Sequence, residues 1–320
     1  PDVRMTGRIA VFSTGLMKLG HEIECLTGQT PRFAIFGASD CAAVAGWGHK
    51  PTAARARAAA KRSHLPYVAF EDGFLRSLKP GPQQRPSAMV MDRSGIYYDA
   101  RQPSDLETLL ETATFSDSEL DEAANVVSLI ARHRLSKYNH GADRLVAGDI
   151  PAGRPVVAVI DQTAGDESVA GALADAAAFV RMAEAAAAEN PGAHIIAKLH
   201  PETLNGTKRG YLLEAARRLN LHVSTDHVSP WALFDLMPHV YTVSSQFGFE
   251  ALLAGCKVTC FGMPFYAGWG LTDDRVAKPA RRTRTRTATE LAAAVYLRYC
   301  RYFDAWFREP VDAATAIDQL

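Results

Sequence analysis

No excess of charge of either sign marks this 320-residue chain, in which 35 Lys and Arg offset 35 Asp and Glu. A protein that grips nucleic acid through its phosphates concentrates positive charge, so the bulk composition argues against such a partner. No apolar run approaches the roughly 18 residues of a membrane-spanning helix. No cysteines are paired for zinc: Cys25, Cys41, Cys256, Cys260 and Cys300 are scattered. Cys256 and Cys260 lie four apart, but no second His or Cys pair follows at ligand spacing. An odd number of thiols fits a reducing cytoplasm better than a disulfide framework. Neither a Gly-x4-Gly-Lys-Ser/Thr loop nor a Gly-x-Gly-x-x-Gly stretch occurs, which removes the two commonest phosphate cradles. There is no internal repeat of 20–50 residues, and Asp273-Asp274 is too brief a signal for a metal. Pro1 to Met5 read as a cloning remnant or clipped leader rather than a signal peptide.

What is there is alternation. Residues 8–12, 33–36, 42–45, 66–70, 87–91 and 96–98 read as strands, with a turn at Arg93–Gly95 and a basic, alanine-rich helix over 52–64. Ser104–Glu107 and Ser116–Glu119 have the spacing of capping boxes, and the second helix runs to about His133. Gly148 to Pro155 breaks the composition and marks a domain boundary. Beyond it, strands at 156–160, 194–197, 240–243 and 258–261 alternate with helices at 169–189, 208–219 and 247–254. Gly255 sits where a helix-ending glycine belongs. A third capping box, Thr287–Glu290, opens an amphipathic helix through Tyr302. Such alternation predicts an α/β protein with parallel sheets and helices on both faces. The simplest architecture is two Rossmann-like domains, 1–147 and 148–275, with a cleft between them; 276–320 supplies a linker and a last helix packing back on the first domain.

Ligands of open α/β sheets bind at the carboxyl ends of the strands. Four loops fall there: Glu71-Asp72-Gly73, Asp161 to Ser168, Lys198 to Glu202, and Ser244 to Gly248. The second offers two carboxylates, Asp161 and Asp166, with Gly165 between them and a helix start after them. Its plain alternative is a turn whose Asp and Ser cap a helix. Ser244-Ser245 opens another helix, whose N-terminus suits an anion. Lys198 and His200 set a cation and an imidazole one residue apart, with Pro201 stiffening the exit; the plain alternative is a His bonded only to backbone. Met263 to Gly270, aromatic and glycine-rich, fits either a surface that stacks a base or sugar, or a packed lid or domain contact. Arg281 to Arg286 reads as a solvated linker, with contact to acidic lipid or phosphate as the sharper option.

The residues carry a family likeness. Trp47–Pro51, Glu71–Ser77, Gly95–Asp99, Lys137–Asn139, Asp161–Ser168, Lys198–Pro201, Ser244–Leu253 and Pro264–Gly270 follow one another over nearly the whole chain as they do in one catalytic module of the KpsC-type capsule polysaccharide β-Kdo glycosyltransferases, which the chain resembles. The resemblance implies a GT-B fold, CMP-Kdo as donor, a Kdo-terminated glycolipid as acceptor and retention of anomeric configuration, with no cofactor and no metal. It assigns Asp166 as nucleophile, Glu71 as general base and His200 as a phosphate-binding catalytic residue. Gln162, Gly165, Ser168, Lys198, His200, Pro201, Ser244, Ser245, Gln246, Gly248 and Glu250 form the donor side, and Glu71, Asp72 and Arg76 the acceptor side. It also implies a cytoplasmic enzyme, with peripheral contact to the inner membrane and to capsule assembly proteins as an open option.

Two features depart from the family. Its proteins usually carry two such modules, whereas one is present here. After Ser77 the family tends to run Gly-Leu-Gly, where this chain has Leu78 to Gln84 with two prolines. The boxes are closer to the first module, which is associated with a β-(2→4) link rather than β-(2→7). Competing readings are a sugar-nucleotide epimerase or other GT-B enzyme, and a non-catalytic module that binds glycan.

Overall fold

The computed structural model describes residues 7–78, 84–139, 141, 153–204, 206–224 and 229–320. It contains two sheets. The first begins with β1 (Arg8–Val11), then α1 (Thr14–Met17), α2 (Gly20–Thr27), β2 (Thr30–Phe33), β3 (Ala43–Trp47), α3 (Ala54–Ser63), β4 (Tyr67–Asp72) and β5 (Ala88–Asp92). Strands β1 to β4 are mutually parallel and β5 runs antiparallel to β4. Helices α4 (Asp105–Thr112) and α5 (Asp117–His133) follow.

The second sheet is parallel throughout, in the order β11-β10-β9-β6-β7-β8. Its elements in chain order are β6 (Val156–Ile160), α6 (Glu167–Gly171), α7 (Ala176–Glu189), β7 (His194–Lys198), α8 (Pro201–Leu204), α9 (Leu213–Arg218), β8 (His222–Ser224), α10 (Pro230–Phe234), β9 (His239–Thr242), α11 (Gln246–Leu253), β10 (Lys257–Cys260) and β11 (Asp273–Asp274). Every residue of β6, Val-Val-Ala-Val-Ile, is buried, as a central parallel strand covered on both faces must be. The chain then returns to the first sheet. Helix α12 (Ala288–Ala292) continues as a π-helix over Ala293–Tyr299, and both pack on α5. Strand β12 (Cys300–Phe303) pairs antiparallel with β5, and β13 (Pro310–Val311) and α13 (Ala313–Asp318) finish the described fold.

Several sequence expectations are corrected. Ile96–Tyr98 is not a strand. The buried Asp92 carboxylate takes the amide N–H groups of Ser94, Gly95 and Asp105 at 3.0, 2.7 and 3.0 Å and folds that segment into a turn. The strand expected at 33–36 is over by Phe33. The helix expected over 169–189 is two, because Leu173 is left-handed (φ 58°) and Asp175 caps the second. That over 208–219 begins only at Leu213, because Asp161 binds the amides of Tyr211 and Leu212. The terminal helix does not reach Tyr302, since 300–303 is a strand. Of the three expected capping boxes, those at Ser116 and Thr287 form completely. At Ser104 the hydroxyl caps Glu107 N–H, but the Glu107 carboxylate turns instead to Arg281 and Arg282.

That turn identifies the Arg281–Arg286 segment as a clamp, not a solvated linker. Arg282 is 2% exposed and donates to Glu107 at 2.8 Å and to the carbonyls of Pro264 and Ala267. Arg286, also buried, donates to the Leu110 and Ala113 carbonyls, satisfying the open end of α4. The expected break at 148–155 falls largely on residues outside those described. No helix among the described residues is long and apolar enough to cross a membrane.

Candidate functional site

The carboxyl ends of the second sheet's strands hold three short loops against one another. After β6 the chain turns through Thr163, Ala164 and Gly165 (φ 82°) and enters α6 with Asp166 as N-cap. Asp166 is half-buried, and its Oδ1 accepts from Ser168 N–H at 2.9 Å. Its Oδ2 has no hydrogen-bond partner among the described residues. Asp161, in the same loop, is spent on structure: it is buried, holds the Tyr211 and Leu212 amides, and desolvation pushes its carboxyl up to about 6.

Gln162 ties the loop to the next helix. Its amide donates to Ser168 Oγ at 3.1 Å and Ser244 Oγ at 3.0 Å, and its carbonyl oxygen accepts from Ser244 N–H at 3.0 Å. Ser245 caps α11 by accepting from Phe247 N–H. Gly248 lies in the first turn of α11 because a Cβ there would run into Tyr266 and Thr242. Lys198 ends β7. Two residues on, His200 Nδ1 accepts from Glu202 N–H at 3.2 Å. That bond puts the ring's remaining proton on Nε2, and desolvation holds the imidazole's pKa below its ordinary value. His200 is therefore a neutral donor near pH 7, with its side chain 40% exposed. Pro201 opens α8.

The first sheet faces this edge. Glu71, at the end of β4, is 5% exposed and lies 3.0 Å from the Lys50 ammonium. Asp72 binds Arg76 at 2.8 Å, and Arg76 donates on to Ser77. Lys137 is set between the two halves: desolvation would lower its pKa, but Tyr97, Tyr138, Asp72 and Glu71 facing it raise it overall. Contacts across the cleft are direct. Ala100 N–H donates to the Gly171 carbonyl at 2.8 Å, and a Cβ on Gly171 would strike the Tyr98 carbonyl. Gln246 donates to the Phe74 carbonyl at 2.8 Å.

Two residues expected on the donor side, Gln246 and Glu250, are engaged in this docking. Glu250 is buried, accepts from Lys137 N–H at 3.2 Å and Gln246 at 3.0 Å, and desolvation pushes its carboxyl up to about 7. The Met263–Gly270 loop does not offer rings for stacking a base. Trp269 and Tyr266 are fully buried, and Phe265 packs on Phe74 with centroids 5.0 Å apart. It is a domain contact, and Tyr266 braces the Ser245 carbonyl at 2.7 Å.

A cavity of about 860 Å³ opens beside α6, lined among others by His49, Arg57, Arg93, Asp99, Arg101 and Glu167. Sequence reasoning named none of these as site residues. Trp47–Pro51 and Gly95–Asp99 were the available signals, but nothing in either showed that they meet. The grouping with metal-ligand geometry among the described residues, His21, Cys25 and Glu309, involves no residue of this cleft.

The chain matches the capsule polysaccharide biosynthesis protein family over residues 42–302. It is 41% identical to the capsule polysaccharide modification protein LipA of Neisseria meningitidis serogroup B across 99% of its own length and 46% of that protein's. It is 37% identical to the lipopolysaccharide-processing protein LpsZ of Rhizobium meliloti over 75% of the chain and 55% of that protein. It thus spans about half the length of these curated relatives. Among solved structures, the β-Kdo 2,4 transferase of Thermosulfurimonas dismutans KpsC superposes with a TM-score of 0.91 at 42% identity, covering 98% of this chain and 97% of that one. The β-Kdo 2,7 transferase of the same protein gives 0.73 at 26% identity, covering 98% of each chain. The fold is accordingly the two-domain GT-B type expected from the sequence, and the chain belongs to the capsule polysaccharide biosynthesis family.

Proposed function

We propose that the chain is a retaining β-Kdo glycosyltransferase that moves Kdo from CMP-Kdo to a Kdo-terminated glycolipid in capsule linker biosynthesis. The observation that carries this reading is the placement of Asp166, a half-buried carboxylate at a helix start beside the Gln162–Ser168–Ser244 network, with its charge and that of Glu71 both acting on the Tyr97 hydroxyl. Likeness to the KpsC 2,4 module supports the substrate class, and the higher identity to that module (42% against 26%) favours the β-(2→4) linkage.

In this reading Asp166 attacks the anomeric carbon of Kdo. The bond from that carbon to the phosphate oxygen breaks, and its electron pair leaves with CMP. His200 Nε2–H, Lys198 and the N-terminus of α11 stabilise the charge that builds on the phosphate. The acceptor hydroxyl then gives its proton to Glu71 and attacks the same carbon, releasing Asp166 as carboxylate. Two inversions give net retention. The phosphate-facing groups carry the charge without a divalent ion, so turnover should survive EDTA. Peripheral contact with the inner membrane and with capsule assembly proteins belongs to the same reading.

The test is to incubate purified protein with CMP-Kdo and a synthetic Kdo-terminated acceptor, following product linkage by NMR and intact protein by mass spectrometry. Transfer with retention, and a Kdo adduct on the peptide holding Asp166, are expected. Neither transfer nor hydrolysis of CMP-Kdo would overturn the reading.

A further inference from the structure

The cavity beside α6 has a charge pattern that the chemistry above does not use. Three guanidinium groups and an imidazole line it against two carboxylates, Asp99 and Glu167. Asp99 is already satisfied: Arg101 clasps it with two hydrogen bonds of 2.8 and 2.7 Å, and His49 Nδ1 lies 3.5 Å away. These partners outweigh the opposing pull of desolvation and hold the Asp99 carboxyl well below its ordinary range. That pair is internally neutral, which leaves Arg57 and Arg93 against Glu167.

Neither arginine is used up. Arg57 donates to the Lys50 carbonyl at 3.2 Å and also hydrogen-bonds the Tyr67 side chain, which fixes its direction and leaves its remaining donors open. Arg93 is exposed, and its guanidinium makes no hydrogen bond or ion pair among the described residues. A planar guanidinium presents paired donors that match the two oxygens of a carboxylate or phosphate, a geometry that a lysine lacks. A volume of about 860 Å³ admits a sugar-sized group with its substituents.

Position says which substrate this is. Glu167, on one wall, follows Asp166 directly. On the other side the cavity borders the 47–50 loop, where His49 N–H donates to Tyr98 Oη at 2.9 Å and Lys50 pairs with Glu71. The cavity therefore adjoins the two segments next to the acids assigned to the chemistry, α6 after Asp166 and the loop whose Lys50 pairs with Glu71. Most of its lining comes from the first domain, whereas the helix starts suited to the nucleotide phosphate are on the second.

We propose that the cavity is an anion subsite for the acceptor, in which Arg57 and Arg93 grip a carboxylate or phosphate that the acceptor already carries, while Arg101 stays committed to Asp99. The assignment rests on the glycosyl-transfer reading. The anion is either the carboxylate of the acceptor's terminal sugar acid or the phosphate of its lipid linker.

The test pairs charge removal in the protein with charge removal in the acceptor. Arg57→Gln and Arg93→Gln are compared with wild type on four synthetic acceptors: free carboxylate or carboxamide on the terminal Kdo, each with or without the linker phosphate. Each arginine replacement should raise acceptor KM by roughly 10- to 100-fold, the range of a charge-assisted hydrogen bond, with kcat little changed. CMP affinity by calorimetry should be unmoved. If the sugar carboxylate is the anion, the carboxamide costs wild type the same factor and costs Arg93→Gln nothing further. If the linker phosphate is the anion, the dephosphorylated acceptor shows that pattern instead. Acceptor KM unchanged in both variants, or full additivity with both acceptor changes, would overturn the subsite. Should wild type not use CMP-Kdo at all, the failure belongs to the transfer reading. Calorimetric binding of the charged acceptor, weakened by Arg93→Gln or not, still decides the subsite.

Discussion

The two faces of the cleft are built from different kinds of charge. On the second domain, Gln162, Ser168 and Ser244 satisfy one another, and what they leave pointing outward are helix starts and a neutral imidazole. On the first domain the cavity presents whole cations, Arg57 and Arg93, that few neighbours restrain. The difference fits the timing of charge in the proposed reaction. The donor phosphate arrives as a monoanion and gains a second negative charge only as the bond breaks, so dipoles fixed beforehand stabilise that added charge with no reorganisation. An acceptor that arrives already ionised is drawn by exposed charges, which act at longer range and are screened by salt.

The same contrast repeats within one loop. Asp161 and Asp166 are five residues apart; one is buried against backbone amides and the other caps an open helix start. The largest expected effect breaks that comparison. Asp166→Asn should lower kcat by roughly 1000-fold or more, because general electrostatics do not replace a nucleophile. Asp161→Asn keeps an oxygen for the Tyr211 and Leu212 amides and should retain most activity. Glu71→Gln should still form the Kdo adduct but pass it on slowly, so that intact mass spectrometry finds it accumulated. An adduct mapping to Asp161, or surviving in Asp166→Ala, would reverse the roles of the two acids.

The next effect separates the faces. His200→Ala and Ser244→Ala should each weaken CMP binding by roughly 10- to 100-fold in calorimetry, since each removes a donor or its support beside the phosphate. Raising the salt concentration should increase acceptor KM more steeply than CMP Kd. Equal salt slopes for both ligands would dissolve the distinction between fixed dipoles and exposed cations.

How far the sequence carried this picture depends on how local each feature is. The run Val156–Ile160 and the caps at Ser116 and Thr287 are short-range patterns, and they fold as read. Ile96–Tyr98 has strand-forming side chains, but a single buried carboxylate, Asp92, collects the amides around it, and a window of neighbours cannot show that. The Arg281–Arg286 run reads as solvated because its partners, Glu107 and the end of α4, lie more than 170 positions away. The position of Asp166 as a helix cap after a glycine turn was legible because loop, glycine and helix start are contiguous. The arginine cavity was not, because its lining comes from separate segments around 49, 57, 93, 101 and 167 that only the topology brings together.

The smallest expected effect concerns the contact between the faces. Glu250 is buried where α11 meets the 136–139 segment, with its carboxyl pushed up to about 7. An acid raised on folding binds its proton more tightly in the folded state. Its stabilising contribution is therefore full below the unfolded value near 4.5 and is lost as pH rises through about 7. Asp161, pushed up to about 6, acts in the same sense, while His239, lowered to about 4 chiefly by desolvation, loses stability in the opposite direction as pH falls below 6.5. The wild-type curve is thus a sum of opposing slopes, and the variant isolates one of them. Glu250→Gln retains one oxygen, which can accept from both Lys137 N–H and Gln246 as Oε1 does now, and it removes the charge. Thermal unfolding at pH 5 and pH 8 should show wild type losing up to about 3 kcal/mol more than the variant across that interval. Parallel curves would mean that Glu250 is no more protonated in the folded chain than in the unfolded one, and that the contact between the two domains tolerates its charge.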